Sequence, residues 1–420
     1  MTGSSDPYSD AINYHVAGFF GAVQALIAGA PLPDPLKAAL SGTAYTVRRS
    51  LYNSAPTVTP LQLTGTSDTA VAGRVSASDP DGDQIAYRVV QGPASGTLQL
   101  NSDGSFTYTP GDGFDGVASF VVLAQDLGLH VNLLNPFRGP GTSAGALVNE
   151  GAIKFDFNYT TGANFWSDEA RAALASSANR VTAYFLVTRP VTLTYDVTGE
   201  DSTASSKLAS AGSGLVSTDP GFWQTVVQSK LLTGVDANGD AADGSIDWNF
   251  AKGWDYGDSV SADNYDFVST AMHELMHSFG FLSVIDAPGK NADGEWTVLD
   301  GFIQTSGGAK PVTYDYRWNA AYDPNLTGAA GGFYFGGANA VAAYGGLVPL
   351  YTPNPWEDGS SMSHLDDTTF TGANEQMMNA KTDTGLGVRV LSPIELGILK
   401  DIGYTVVIPS VAPSAASVAV

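Results

Sequence analysis

The segment His273-Glu274-Leu275-Met276-His277-Ser278-Phe279-Gly280 constrains this 420-residue chain more than any other feature. Residues four apart lie one above the other on an α-helix, so helical geometry puts the two imidazoles on one face and close together. Both can then reach one Zn2+ at about 2.0–2.1 Å, and Glu274 can touch a water on the ion without ligating it. Five His and eight Glu in the whole chain make a chance H-E-x-x-H an event on the order of one in a thousand. Zinc lowers the pKa of such a water towards ~7, and Glu274 would take its proton as general base and return it to a leaving amine. A helix that stops near Gly280 is therefore required, together with a third protein ligand, because catalytic zinc sites keep the fourth position open.

The compact form of the motif would place that third ligand three residues after Gly280. Ser283 stands there, and a hydroxyl is no substitute for imidazole. The remaining histidines are His15, His130 and His364. His15 falls in a helical stretch and His130 in a linker, both read as structural. His364 lies in the polar loop Gly359-Ser360-Ser361-Met362-Ser363-His364-Leu365-Asp366-Asp367 and is the preferred ligand. Glu295 is the rival, eighteen residues after His277, but it sits in the turn-forming string Asn291-Ala292-Asp293-Gly294-Glu295. A competing reading is a surface adhesin or binding protein with a structural zinc site. Such a site has no need of Glu274 and fills all four positions.

The rest of the chain reads as several segments. Residues 1–53 are helical in pattern, with Pro31, Pro33 and Pro35 as breaks. Residues 54–126 alternate with period two between turns, as in Ser105-Phe106-Thr107-Tyr108-Thr109, and resemble a cadherin/Ig-like β-sandwich. Residues 127–149, dotted with Gly and Pro, read as a linker. Residues 150–408 form the unit that carries the histidines, and 409–420 are expected to be a disordered tail. Within that unit the strand Ser245 to Phe250 is expected at an exposed sheet edge, where an extended substrate could add. The fold class expected is α+β.

Two acidic strings could hold Ca2+. One is Asp79, Asp81 and Asp83, for which a solvated acidic turn is the preferred reading. The other runs from Asp236 to Asp247, where Ala241 replaces the glycine of a calcium loop and Asp247 its bidentate Glu. Nineteen basic residues against 42 acidic ones give a net charge of −23, which repels nucleic acid and anionic lipid. The absence of Cys removes thiol catalysis, thiolate metal sites and disulfides. The apolar run Val16 to Ala30 is too short to span a membrane and lacks a basic flank. A secreted or cell-surface bacterial monomer is expected, its export signal absent from this chain.

From about residue 150 to 405 the chain resembles the leishmanolysin-like metzincins and related bacterial secreted zinc metalloproteases. The resemblance rests on four features beyond composition: Asn264-Tyr265-Asp266-Phe267-Val268 leading into His273-Glu274; the long insertion before Ser363-His364-Leu365-Asp366; Asn374-Glu375-Gln376-Met377-Met378-Asn379; and Leu391-Ser392-Pro393-Ile394-Glu395 through Gly403-Tyr404. It implies a metzincin-like fold and endopeptidase activity on protein or peptide substrates. It also implies His273, His277 and His364 as zinc ligands, Glu274 as base, and Met378, or else Met377, as the Met-turn residue beneath the metal. Ser392 and Glu395 form a capping box with Pro393 at the first helical position and Gly403 as the stop. That helix is expected to pack behind the metal without chemistry of its own.

Overall fold

Residues 1–150 and 151–420 form two units. The computed structural model describes residues 7–409, except 60, 66–69, 128–130, 138, 140, 292 and 293. His130 and residues 410–420, most of the expected tail, lie outside the described residues.

In the first unit, helices Pro7–Gly29 and Asp34–Leu51 flank the break at Pro31 and Pro33, where a following proline bars the α conformation. A β-sandwich follows. One sheet has the order Leu61–Gly65, Gly141–Glu150, Val117–Asp126, Ile85–Gln91, and the other Val71–Arg74, Ser105–Thr109, Thr97–Leu100. Alternation drives the packing. Phe106, Tyr108, Phe120 and Val122 point inward from neighbouring positions and are fully enclosed, with Phe106 edge-on to Phe120 at 5.3 Å between centroids.

Part of the stretch expected as a linker, 127–149, belongs to the sandwich. Residues Gly141–Glu150 form a ten-residue strand inside the four-stranded sheet, paired on both sides. Its inward positions are Ala144, Ala146 and Val148, small residues whose alternation is masked in the sequence by Gly141 and Gly145.

The second unit is built on a mixed sheet. Strands Ile153–Tyr159 and Val191–Glu200 are parallel and are connected through helix Asp168–Thr182, as a parallel pair requires. Ser167 caps that helix, its Oγ accepting from the Ala170 amide at 3.1 Å. Gly244–Asn249 continues the parallel set, and Ala209–Gly212 closes it antiparallel. The edge expected at Ser245 to Phe250 lies elsewhere. Gly244–Asn249 is interior, with Ile246 and Trp248 fully buried, and the edge beside it is Ala209–Gly212. No helix among the described residues is long and apolar enough to cross a membrane.

The helix that carries His273 and His277 spans Phe267–Ser278. Asp266 caps its start, accepting from the amides of Val268 and Ser269. Phe267 packs on Trp248 at 4.1 Å between centroids. At the other end the Tyr195 and Ser278 hydroxyls share a hydrogen bond of 2.7 Å, and Tyr404 donates to the Phe279 carbonyl at 2.8 Å. The C-terminal helix Pro393–Asp401 starts with both hydrogen bonds of the capping box in place. Gly397 lets it approach the helix Ala338–Tyr344, since a Cβ there would lie 2.6 Å from the Ala340 Cα.

Candidate metal centre

His273 and His277 project from one face of their helix, and the loop carrying His364 meets them. The three Nε2 atoms form a nearly equilateral triangle: 3.0 Å from His273 to His364, 3.1 Å from His277 to His273 and 3.1 Å from His277 to His364. Ligand nitrogens sharing one tetrahedral zinc at 2.0–2.1 Å lie about 3.3 Å apart.

Each Nδ1 atom faces a backbone carbonyl: Met377 for His273 at 2.7 Å, Phe281 for His277 at 2.8 Å and Ser360 for His364 at 2.7 Å. A carbonyl only accepts, so each Nδ1 carries the proton and each Nε2 presents a lone pair inward. Burial opposes a proton there. It holds the His277 imidazole down to about 3, with help from His273, and lowers His273 and His364. Three neutral lone pairs meeting at 3 Å repel one another unless a cation lies among them. The donor set fits a divalent ion of zinc's preference.

Local sequence explains the geometry. Gly280 adopts φ +92°, and a Cβ there would meet Gln228 Oε1 at 2.7 Å. The turn it permits folds the Phe281 carbonyl back onto His277. Ser283, where the compact motif has its ligand, is joined to the His364 loop instead. Its amide donates to Ser363 Oγ at 3.1 Å, and Ser363 Oγ donates to the Ser283 carbonyl at 3.2 Å. The position that lacks the histidine thus tethers the loop that supplies it. Leu365 is bridged to Leu350 and to Asn379, which holds the same loop against the Met377-Met378 segment.

Glu274 lies beside the triangle, its Oε2 accepting from the Ala211 amide of the edge strand at 3.0 Å. Burial raises its carboxyl to about 7, against the lowering effects of that amide and Lys207. Met378 is fully buried, and Met377 contributes its carbonyl to His273. The rival Glu295 is exposed on the short strand Glu295–Thr297 and is outside the cluster. His15 is exposed on its helix in the first unit. A cleft of about 800 Å3 opens over the histidines, lined by residues 206–211, 357–360, 375–377 and 379–383.

The acidic strings differ from expectation. Asp81 and Asp83 are buried rather than solvated, and they pair with Arg48 and Arg49 of helix Asp34–Leu51. Asp79 and Asp83 gather with Asp126, a residue that sequence spacing gave no reason to include. In the other string Asp236 bonds Lys230, while Asp247 accepts from Thr198 on the sheet. Asp236 and Asp247 form no common carboxylate cluster among the described residues.

Residues 53–129 match the family described as bacterial Ig domain. The first unit carries a bacterial Ig-like domain. That match ends well short of the histidines. Among solved structures, an endo-fucoidan hydrolase of glycoside hydrolase family 107 is 24% identical, covering 23% of this chain and 13% of its own, with a TM-score of 0.18. Human protocadherin-24 EC1-2 is 13% identical, covering 26% of this chain and 54% of its own, with a TM-score of 0.17. At such scores neither bears on function. The chain spans 13% of the length of the endo-fucoidan hydrolase. No curated protein sequence matches the chain.

Proposed function

We propose that the second unit is a zinc-dependent endopeptidase of the leishmanolysin-like metzincin type, acting outside the cell on protein or peptide substrates. The observation that supports it most is the meeting of three Nε2 lone pairs within 3.1 Å of one another, beside Glu274, at the floor of an open cleft. His273, His277 and His364 would hold the ion, with Met378 packed beneath. Bound there, zinc supplies a Lewis acid and lowers the pKa of a coordinated water towards ~7.

The chain's own groups do the rest. The Ala211 amide fixes Glu274 Oε2, leaving the other carboxylate oxygen to take the proton of the attacking water and pass it to the leaving amine. Ala209–Gly212 is an antiparallel edge strand along the cleft wall, so an extended peptide can pair with the outward backbone groups other than the Ala211 amide, which Glu274 holds. Small side chains at Ala209, Ser210 and Ala211 keep that approach open.

Glu274→Ala tests the proposal. Cleavage of an unfolded protein substrate should fall by at least about 10^3-fold while bound zinc stays at the wild-type level. Cleavage near the wild-type rate by this variant would remove Glu274 from the chemistry.

A further inference from the structure

The C-terminal helix reaches the metal centre through a single peptide group. Glu395 is wholly buried. Its Oε1 accepts from the Met378 amide at 2.7 Å, and its Oε2 accepts from the Ser392 amide at 2.7 Å. The Met378 amide and the Met377 carbonyl are the two ends of one planar peptide bond. That carbonyl accepts the His273 Nδ1 proton at 2.7 Å.

Carboxylate, peptide and imidazole therefore stand in series, and each hydrogen bond polarises the next. Negative charge at the amide end enriches the carbonyl oxygen, which strengthens its hold on the Nδ1 proton and makes Nε2 a better donor. His364 has no such arrangement. Its carbonyl partner is Ser360, and the Ser361 amide of the same peptide donates to the Glu357 backbone carbonyl at 2.9 Å.

We infer that Glu395 is a positioning residue for His273, acting through the 377–378 peptide to orient the imidazole and raise its basicity towards the ion. The inference rests on the zinc site proposed above. It gives the capping-box Glu a second role, because the carboxylate that closes the first turn of its helix also anchors the segment beneath the metal. A Gln at 395 keeps the size but loses the negative charge, and its NH2 can accept from neither amide, so one of the two hydrogen bonds is lost as well.

The test uses the full chain and three variants: Glu395→Gln, Glu395→Ala and Ser392→Ala. Zn2+ affinity is measured by competition with a chromophoric chelator, and the visible spectrum of the Co2+-loaded protein reports ligand geometry. Glu395→Gln and Glu395→Ala should each weaken Zn2+ binding about 10-fold or more, the range seen when groups behind a ligating His are removed, and should shift the Co2+ bands. Ser392→Ala loses the cap hydroxyl but leaves the Met378 contact, so the helix is destabilised while zinc affinity stays within about twofold. Equal loss of affinity in Ser392→Ala and Glu395→Gln would make the effect one of helix stability and overturn the inference. So would a folded Glu395→Gln protein with wild-type affinity and spectrum. A wild-type chain that takes up neither ion sinks the metal site itself, a different failure from the other two.

Discussion

Replacing Asp266 by Ala removes the residue that ties the start of the helix Phe267–Ser278 to the segment before the C-terminal helix. Its carboxylate, 2% exposed, receives the Arg389 guanidinium at 2.7 Å (Nε) and 2.8 Å (Nη2). It also accepts the Val268 and Ser269 amides and, at 3.1 Å, the Gly387 amide. Loss of the cap costs about 1 kcal/mol. Stranding a buried cation costs about 3–5 kcal/mol. The lower end applies, because Arg389 keeps the Gly257 carbonyl at 2.7 Å and the exposed Asp258 at 3.1 Å. The sum is about 4 kcal/mol, on the order of 10 °C in Tm for a unit of this size. Arg389→Leu should cost less, since Asp266 retains three backbone donors. The double variant should be less destabilised than the two single losses added together. All seven tryptophans belong to the second unit, so urea unfolding followed by tryptophan fluorescence reads this unit alone. A loss below about 1 kcal/mol for Asp266→Ala would refute the reasoning.

Three further outcomes follow from particular contacts. Burial raises Asp300 from the ordinary 3.8 to about 6. The folded state therefore binds the proton more tightly, and stability falls as pH rises from about 4 to about 6, by roughly 3 kcal/mol in all. Urea unfolding of Asp300→Asn should show a gain over wild type that is larger at about pH 7 than at about pH 4.5, and an equal difference at both would contradict this. Gly280→Ala forces φ +92° on an L-residue and a clash with Gln228. It should cost about 1–3 kcal/mol and weaken Zn2+ binding as the Phe281 carbonyl leaves His277, read by chelator competition. Phe106→Ala empties the centre of the first unit's sandwich and should cost about 3–5 kcal/mol, read by the loss of far-ultraviolet dichroism on heating while the tryptophan transition stays in place.

What was legible in the chain was chemistry with local grammar. The i, i+4 histidines imply a helix because a strand would hold them about 13 Å apart, too far to share one ion. Gly280 sits where a stop belongs. His364 emerges by exclusion, since few histidines exist and the others precede the unit. Ser392 and Glu395 announce the C-terminal helix three residues apart. Long-range choices were not legible. Nothing in Ala209-Ser210-Ala211-Gly212 marks an edge strand, for small residues carry neither β-branching nor alternation, and only pairing with Gly244–Asn249 makes them one. The strand Gly141–Glu150 was hidden for the same reason. The acidic turn looked solvated because its arginine partners lie some thirty residues earlier, on a separate helix. The peptide shared by Glu395 and His273 depends on three segments meeting, which no spacing in the sequence encodes.

The proposed chemistry needs a divalent ion held by His273, His277 and His364, and metal content measures that most directly. The full chain, purified in metal-free buffer after loading with zinc and analysed by plasma mass spectrometry, should carry one zinc per chain. His364→Ala should retain well under half of it through the same dialysis. A wild-type chain without zinc, or a His364→Ala chain with a full complement, would contradict the account.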